Sequence, residues 1–204
     1  MKQLSLSEIR KEMKKTLEPK RFEHTLSVAY TAANLAALYG EDVNRALTAG
    51  MLHDCAKCMS YKKQKELCVK HHVPLSETER KDSEYCPVLH AKAGAVLAKE
   101  KYGVKDEDIL NAIFYHTTGR PQMSVLEKII YIADYIEPCR RHVKGTTKAS
   151  ENDVFTTARQ AAFRDLDEAL LIILGNTLAY LRDKDFKIDP ATQETYDYYR
   201  EQKG

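Results

Sequence analysis

His24, His53, Asp54, His90, His116 and Asp134 are metal-capable side chains at places where packing alone would not ask for them. The adjacent pair His53-Asp54 joins a neutral nitrogen donor to a hard anionic oxygen. That mixture suits iron, manganese or zinc better than calcium. Alone, a His-Asp dipeptide carries little, because chance supplies many, and a single histidine more often serves the core or the surface. Asp134 gives the set its weight. It sits in Ile129-Ile130-Tyr131-Ile132-Ala133-Asp134-Tyr135-Ile136, with Ile130 four residues before it on the same helical face. An ionised carboxylate inside so apolar a helix is unfavourable unless a cation or several donors compensate it. An Asp on the one wet edge of a buried helix is the alternative; beside the other residues, a metal or its water shell is the better partner.

The order His24, then His53-Asp54, then Asp134 resembles the signature of the HD superfamily of phosphohydrolases. Arg21-Phe22-Glu23-His24, Leu52-His53-Asp54-Cys55-Ala56-Lys57, Leu89-His90-Ala91-Lys92-Ala93-Gly94-Ala95, His116-Thr117-Thr118-Gly119 and Ala133-Asp134-Tyr135-Ile136-Glu137-Pro138-Cys139-Arg140 together resemble the bacterial YqeK family. The resemblance runs over residues 15 to 185. It implies a symmetrical diadenosine tetraphosphate hydrolase that binds iron, with manganese, cobalt or zinc as alternatives, and releases two ADP. The ligand set it implies is His24, His53, Asp54 and Asp134, with His53, Asp54, His90 and His116 in catalysis. Other HD-type substrates, such as a nucleoside mono- or triphosphate or an alarmone, remain as a second enzymatic reading. A helical regulator that senses nucleotides or docks on RNA is a third, and the presence of all four core ligand types argues against it.

Two His and two Asp leave coordination positions open for water and a phosphate oxygen. A bound ion then makes hydroxide available near neutrality and polarises the phosphorus it attacks. Substrate contacts are expected from Arg21, Lys57, His90, His116, Thr117, Thr118 and Arg140. An Arg binds phosphate through two parallel hydrogen bonds, and Lys acts as a point charge. His90 and His116 either contact phosphate or protonate the leaving oxygen around one metal, the favoured reading, or help to hold a second one.

Positioning these residues falls to helices. Periodicity is helical throughout, so the fold class predicted is all-α, a single helical domain over 1–204 with a terminal helix over 190–204, and the resemblance implies that it is of the HD type. Ser5 or Ser7 caps a first helix that stops before Pro19, which suits the first turn of a second ending at Gly40. A third opens near Asp42 and runs toward His53. Ser60 to His72 reads as a polar helix, followed by irregular chain through Cys86. Further helices are predicted from Pro87 to near Gly103, over 106–116 and over 124–137. A loop follows to Ala149, then a long helix over 150–183 with a break near Gly175, and Pro190 opens the last.

Lys+Arg total 32 against Asp+Glu 30, so no global basic field argues for a DNA partner. The longest apolar run, Ala169 to Leu174, is far short of the roughly 20 residues that cross a bilayer. The N-terminus lacks a secretion-type apolar core. Five cysteines without a sign of export read as reduced thiols in a cytoplasmic protein. Cys55-Ala56-Lys57-Cys58 fits CxxC, yet no second ligand pair is spaced to complete a zinc site. Tyr196, Tyr198 and Tyr199 either cover the core or form a homodimer contact.

Overall fold

A computed structural model describes residues 2–80, 86–139 and 148–203, without the side chains of 77–78 and 148–153. Among these residues the structure is helical and contains no strand. The helices are α1 (Leu6–Thr16), α2 (Pro19–Tyr39), α3 (Val43–Leu52), α4 (Tyr61–Lys70), the single turn α5 (Glu77–Arg80), α6 (Leu89–Glu100), α7 (Glu107–Phe114), α8 (Val125–Ile136), α9 (Lys148–Ala162), α10 (Leu166–Asp183) and α11 (Pro190–Lys203). None is long and apolar enough to cross a membrane among the described residues.

Local sequence fixes most starts. Ser5, Asp42, Ser60, Asp106 and Ser124 each accept a backbone N–H of the following turn through their side chains. Pro19 takes the first position of α2, where its missing donor is harmless. Gly40 ends α2 with φ +71°, a conformation that strains any residue with a Cβ.

The core is built around α8, which packs on α2, α3, α7 and α10. Ile129, Ile130 and Ile132 are fully buried, each stabilising by roughly 1.5–3 kcal/mol against exposure. α8 is thereby pinned, and a carboxylate on it can be held at a fixed point. Gly50 lets α3 lie against α2 at very short range. A Cβ there would stand 2.7 Å from Ala29 Cα. A smaller apolar cluster of Ala56, Cys68, Cys86, Leu89 and Ala93 seats α4 on α6.

Four expectations need correction. Residues 73–86 were expected to be wholly irregular, but α5 forms there, held by the buried Glu79 carboxylate that Lys92 pairs with at 2.6 Å. The helix around residue 87 begins at Leu89, and the one over 106–116 stops at Phe114, so His116 lies in the turn after it. The long C-terminal helix breaks at 163–165, where Asp165 caps a new start through Asp167 N and Glu168 N. Gly175 stays inside α10, where a Cβ would stand 3.5 Å from the Tyr196 ring. α11 packs on α10, with Thr195 and Tyr199 buried and the Tyr199 hydroxyl accepting from Met123 N at 2.8 Å.

Candidate metal centre

Four imidazoles and two carboxylates meet where α2, α3, α6, α7 and α8 converge. His24 comes from the interior of α2 and His53 caps the C-terminus of α3. After His53 the chain continues through i→i−3 hydrogen bonds, Cys55 N to Leu52 O, Lys57 N to Asp54 O and Met59 N to Ala56 O. At that winding, residues three apart eclipse, and Lys57 accordingly joins Asp54 in lining the same cleft. His90 stands in the first turn of α6. His116 sits in a turn closed by Gly119, whose φ is +67° and where a Cβ would come within 2.7 Å of Thr195.

Three of the rings are fastened by one repeated device. His53 Nδ1 lies 2.7 Å from Gly50 O, His90 Nδ1 2.8 Å from Pro87 O, and His116 Nδ1 2.7 Å from Ile113 O. Each imidazole thus donates to the carbonyl three residues before it. Lys57 Nζ also stands 3.0 Å from His90 Nδ1. A proton on that nitrogen leaves no lone pair for Lys57, and the shorter contact to Pro87 assigns the proton there. His24 is fastened differently, its Nδ1 lying 2.9 Å from Glu137 Oε1.

With the Nδ1 protons so committed, every Nε2 is left as an acceptor in the neutral ring. The Nε2 atoms face one another: His24 to His53 at 3.3 Å, His90 to His116 at 3.1 Å. Lone pairs at that range repel unless a proton or a cation lies between them. The carboxylates complete the ring. Asp134 Oδ1 is 3.1 Å from His24 Nε2 and 3.9 Å from His53 Nε2. Asp54 Oδ2 is 3.5 Å from His53 Nε2 and 3.9 Å from His24 Nε2. Its other oxygen, Oδ1, is 3.1 Å from His90 Nε2 and 3.7 Å from His116 Nε2. Donors about 2.1 Å from one transition ion stand roughly 3.0–3.4 Å apart, so these residues fit such an ion. Among the described residues, two groups close enough to hold one share His53: His24, His53 and Asp134, and His53, Asp54 and His116.

Residues 21–139 match the HD domain family. The chain belongs to the HD domain family. It is 37% identical over 186 residues to the symmetrical bis(5'-nucleosyl)-tetraphosphatase of Bacillus subtilis, covering 91% of this chain and 92% of that one. It is 39% identical over 184 residues to the protein of the same name from Halalkalibacterium halodurans, covering 90% and 91%. A crystal structure from Clostridium acetobutylicum, titled a "predicted HD superfamily hydrolase involved in NAD metabolism", superposes with a TM-score of 0.86 at 40% identity. It covers 98% of this chain and 100% of its own.

The HD site opens into a cleft of about 910 Å³, at the upper end of small-molecule pockets. Arg21, His24, Asp54, Lys57, His90, His116, Thr117 and Asp134 all line it. His53 lies beneath, fully buried. Arg21 reaches Asp54 Oδ2 at 2.9 Å. Thr118 is turned away, its hydroxyl donating to Gly119 O, whereas its neighbour Thr117 faces the cleft. Arg140 and the basic run 141–144 fall outside the described residues. Cys55 is buried with its thiol on Gly94 O, and Cys58 is exposed.

Sequence reasoning did not single out Lys20, Lys187, Glu137, Tyr135 or the α10 residues Ile173, Thr177 and Leu181, which also line the cleft. Lys20 could have been found beside Arg21. Glu137, three residues after Asp134, is fully buried at the end of α8.

Burial alone would raise the Asp54 carboxyl; His53, His116 and His90 outweigh it and hold Asp54 ionised, well below the usual range. His90 is pushed down to about 4, mainly by burial, with Asp54 opposing. Burial would lower His24 too, but its hydrogen bonds to Asp134 and Glu137 prevail and raise it from 6.5 to about 9 in the metal-free protein. A ring whose folded pKa exceeds its unfolded one stabilises the fold fully below 6.5, and that contribution disappears as pH climbs through about 9. Chelator-treated protein should therefore melt progressively lower across this window. Protein loaded with a divalent ion, which takes the place of the proton, should not. Melting curves with and without chelator check this, and a flat metal-free profile would contradict it.

Proposed function

We propose that this chain is a metal-dependent hydrolase that splits diadenosine tetraphosphate symmetrically into two ADP. The chemistry rests on one observation, the ring of converging imidazole Nε2 atoms and carboxylates at the floor of a cleft that Lys20, Arg21, Lys57 and Lys187 also line. The substrate is carried over from the relatives named symmetrical bis(5'-nucleosyl)-tetraphosphatase, which the chain matches over nearly its whole length.

In this reading His24, His53, Asp54 and Asp134 hold one divalent ion, with iron as the resident metal. When bound, the ion supplies Lewis-acid polarisation of a phosphoryl oxygen and acidifies water at its open positions. Lys20, Arg21, Lys57 and Lys187 line the cleft around these ligands and neutralise the polyphosphate, with Arg21 able to grip two oxygens at once. Thr117 adds a hydroxyl. Tyr135, Ile173 and Leu181 form an apolar wall suited to a purine. His90 and His116 face each other with their Nε2 atoms 3.1 Å apart. They either protonate the departing ADP oxygen or contact the phosphate. Water adds to the phosphorus on one side of the central bridging oxygen, the P–O bond to that oxygen breaks, and each half leaves as ADP.

The group of His53, Asp54 and His116 favours a second reading, in which these three residues would hold another ion and supply a second Lewis acid to the phosphates. Elemental analysis distinguishes one equivalent from two.

Purified protein given iron or manganese and a nucleotide panel should release ADP as the sole nucleotide product from diadenosine tetraphosphate. AMP plus ATP, or preference for a mono- or triphosphate, would overturn the assignment of substrate.

A further inference from the structure

We infer that Glu137, steadied by Arg159, is a positioning residue that sets how tightly the centre holds its ion. The inference rests on the proposed role of His24 as a ligand. Of the four converging rings, His24 alone is not fastened to a carbonyl of its own turn. It lies inside α2, where the carbonyls one turn back belong to the helix ladder, and its Nδ1 meets Glu137 Oε1 at 2.9 Å instead. Glu137 is fully buried, and its second oxygen accepts the backbone N–H of Cys139 at 2.5 Å. The carboxylate is thus held from both ends. A ring that donates to a fixed carboxylate cannot flip, and its opposite nitrogen becomes a better donor to a cation.

The position of Glu137 is in turn set from α9. Arg159 Nε donates to Ile136 O at 2.8 Å and its Nη2 to Glu137 O at 3.3 Å, capping the last carbonyls of α8. The guanidinium lies 4.6 Å over the Phe155 ring, which stacks on Tyr135 of the cleft at 5.3 Å and 25°. Arg159 lies beyond the matched HD segment, which ends at 139. A helix outside that segment therefore reaches the centre through Arg159, Glu137 and His24 in sequence.

The test reads metal alone, so it is independent of the nucleotide. Cobalt(II) is titrated into metal-free protein against a chelator, and the visible band of the loaded protein is recorded. Glu137→Gln keeps the shape of the side chain but cannot accept from both His24 Nδ1 and Cys139 N, because its amide nitrogen only donates. It should lower cobalt affinity by ~10–100-fold, the usual range for losing such a partner, and alter the band, with helical content unchanged. Arg159→Ala should weaken cobalt binding less, and its effect should shrink in the Glu137→Gln background, because both act through one route. Unchanged affinity and band in Glu137→Gln would overturn the inference. So would an Arg159→Ala effect that persists undiminished in the double variant. Wild-type protein that binds cobalt yet leaves diadenosine tetraphosphate intact would sink the proposed substrate and leave this relay standing.

Discussion

Asp54→Ala should lower turnover by well over ~100-fold, more than the 10–100-fold that a partner behind a ligand is worth. The reason lies in how one carboxylate serves both sides of the centre. Oδ2 faces His24, His53 and Arg21, while Oδ1 faces His90 and His116. No other side chain among the described residues touches all four rings. Its removal takes the compensating charge from a buried cluster and frees Arg21, so ion retention should fail together with activity. Turnover and metal content measured on the same preparation check this. Full turnover with a full complement of metal would refute the ligand role.

Gly50→Ala should act almost as strongly from a residue that touches no substrate. The added Cβ would lie 2.7 Å from Ala29 Cα, a backbone atom that cannot step aside. Overpacking of this kind costs about 1–3 kcal/mol, or roughly 2–12 °C in melting temperature for a chain of this size. α3 must also back away from α2, and Gly50 O is the group that orients His53. The variant should consequently lose metal affinity even at temperatures where it remains folded. A melting curve and a chelator titration separate the two effects. An alanine variant with wild-type values for both would show that the α2–α3 spacing does not set the geometry of the centre.

Much of this could be read from the chain because it is locally written. Ser5, Asp42, Asp106 and Ser124 announce their helices within four residues, and the apolar α8 announces its burial. Asp134 stood out against that background, and the structure places it partly open toward the cleft, within reach of His24. What escaped reading depends on contacts between distant residues. α5 is a four-residue turn that needs Lys92, thirteen positions from Glu79, to hold it. Gly175 looked like a break because a glycine is conspicuous, whereas the operative signal was the milder cap at Asp165. Glu137 was quoted within its motif but given no role, because its partner is 113 positions away. Thr117 and Thr118 are alike in type and adjacent, and only the path of the turn decides that one faces the cleft. The α10 wall reads in sequence as an ordinary amphipathic helix.

Because His53, His90 and His116 are each moored to a carbonyl within their own turn, their aim is as firm as the main chain that carries them. Loading an ion then asks for little rearrangement, and stripping it leaves the receptor shaped for return. In a cradle preorganised in this way, the fixed spacing and the nitrogen and oxygen donors themselves, together with the surrounding supply, select among divalent ions.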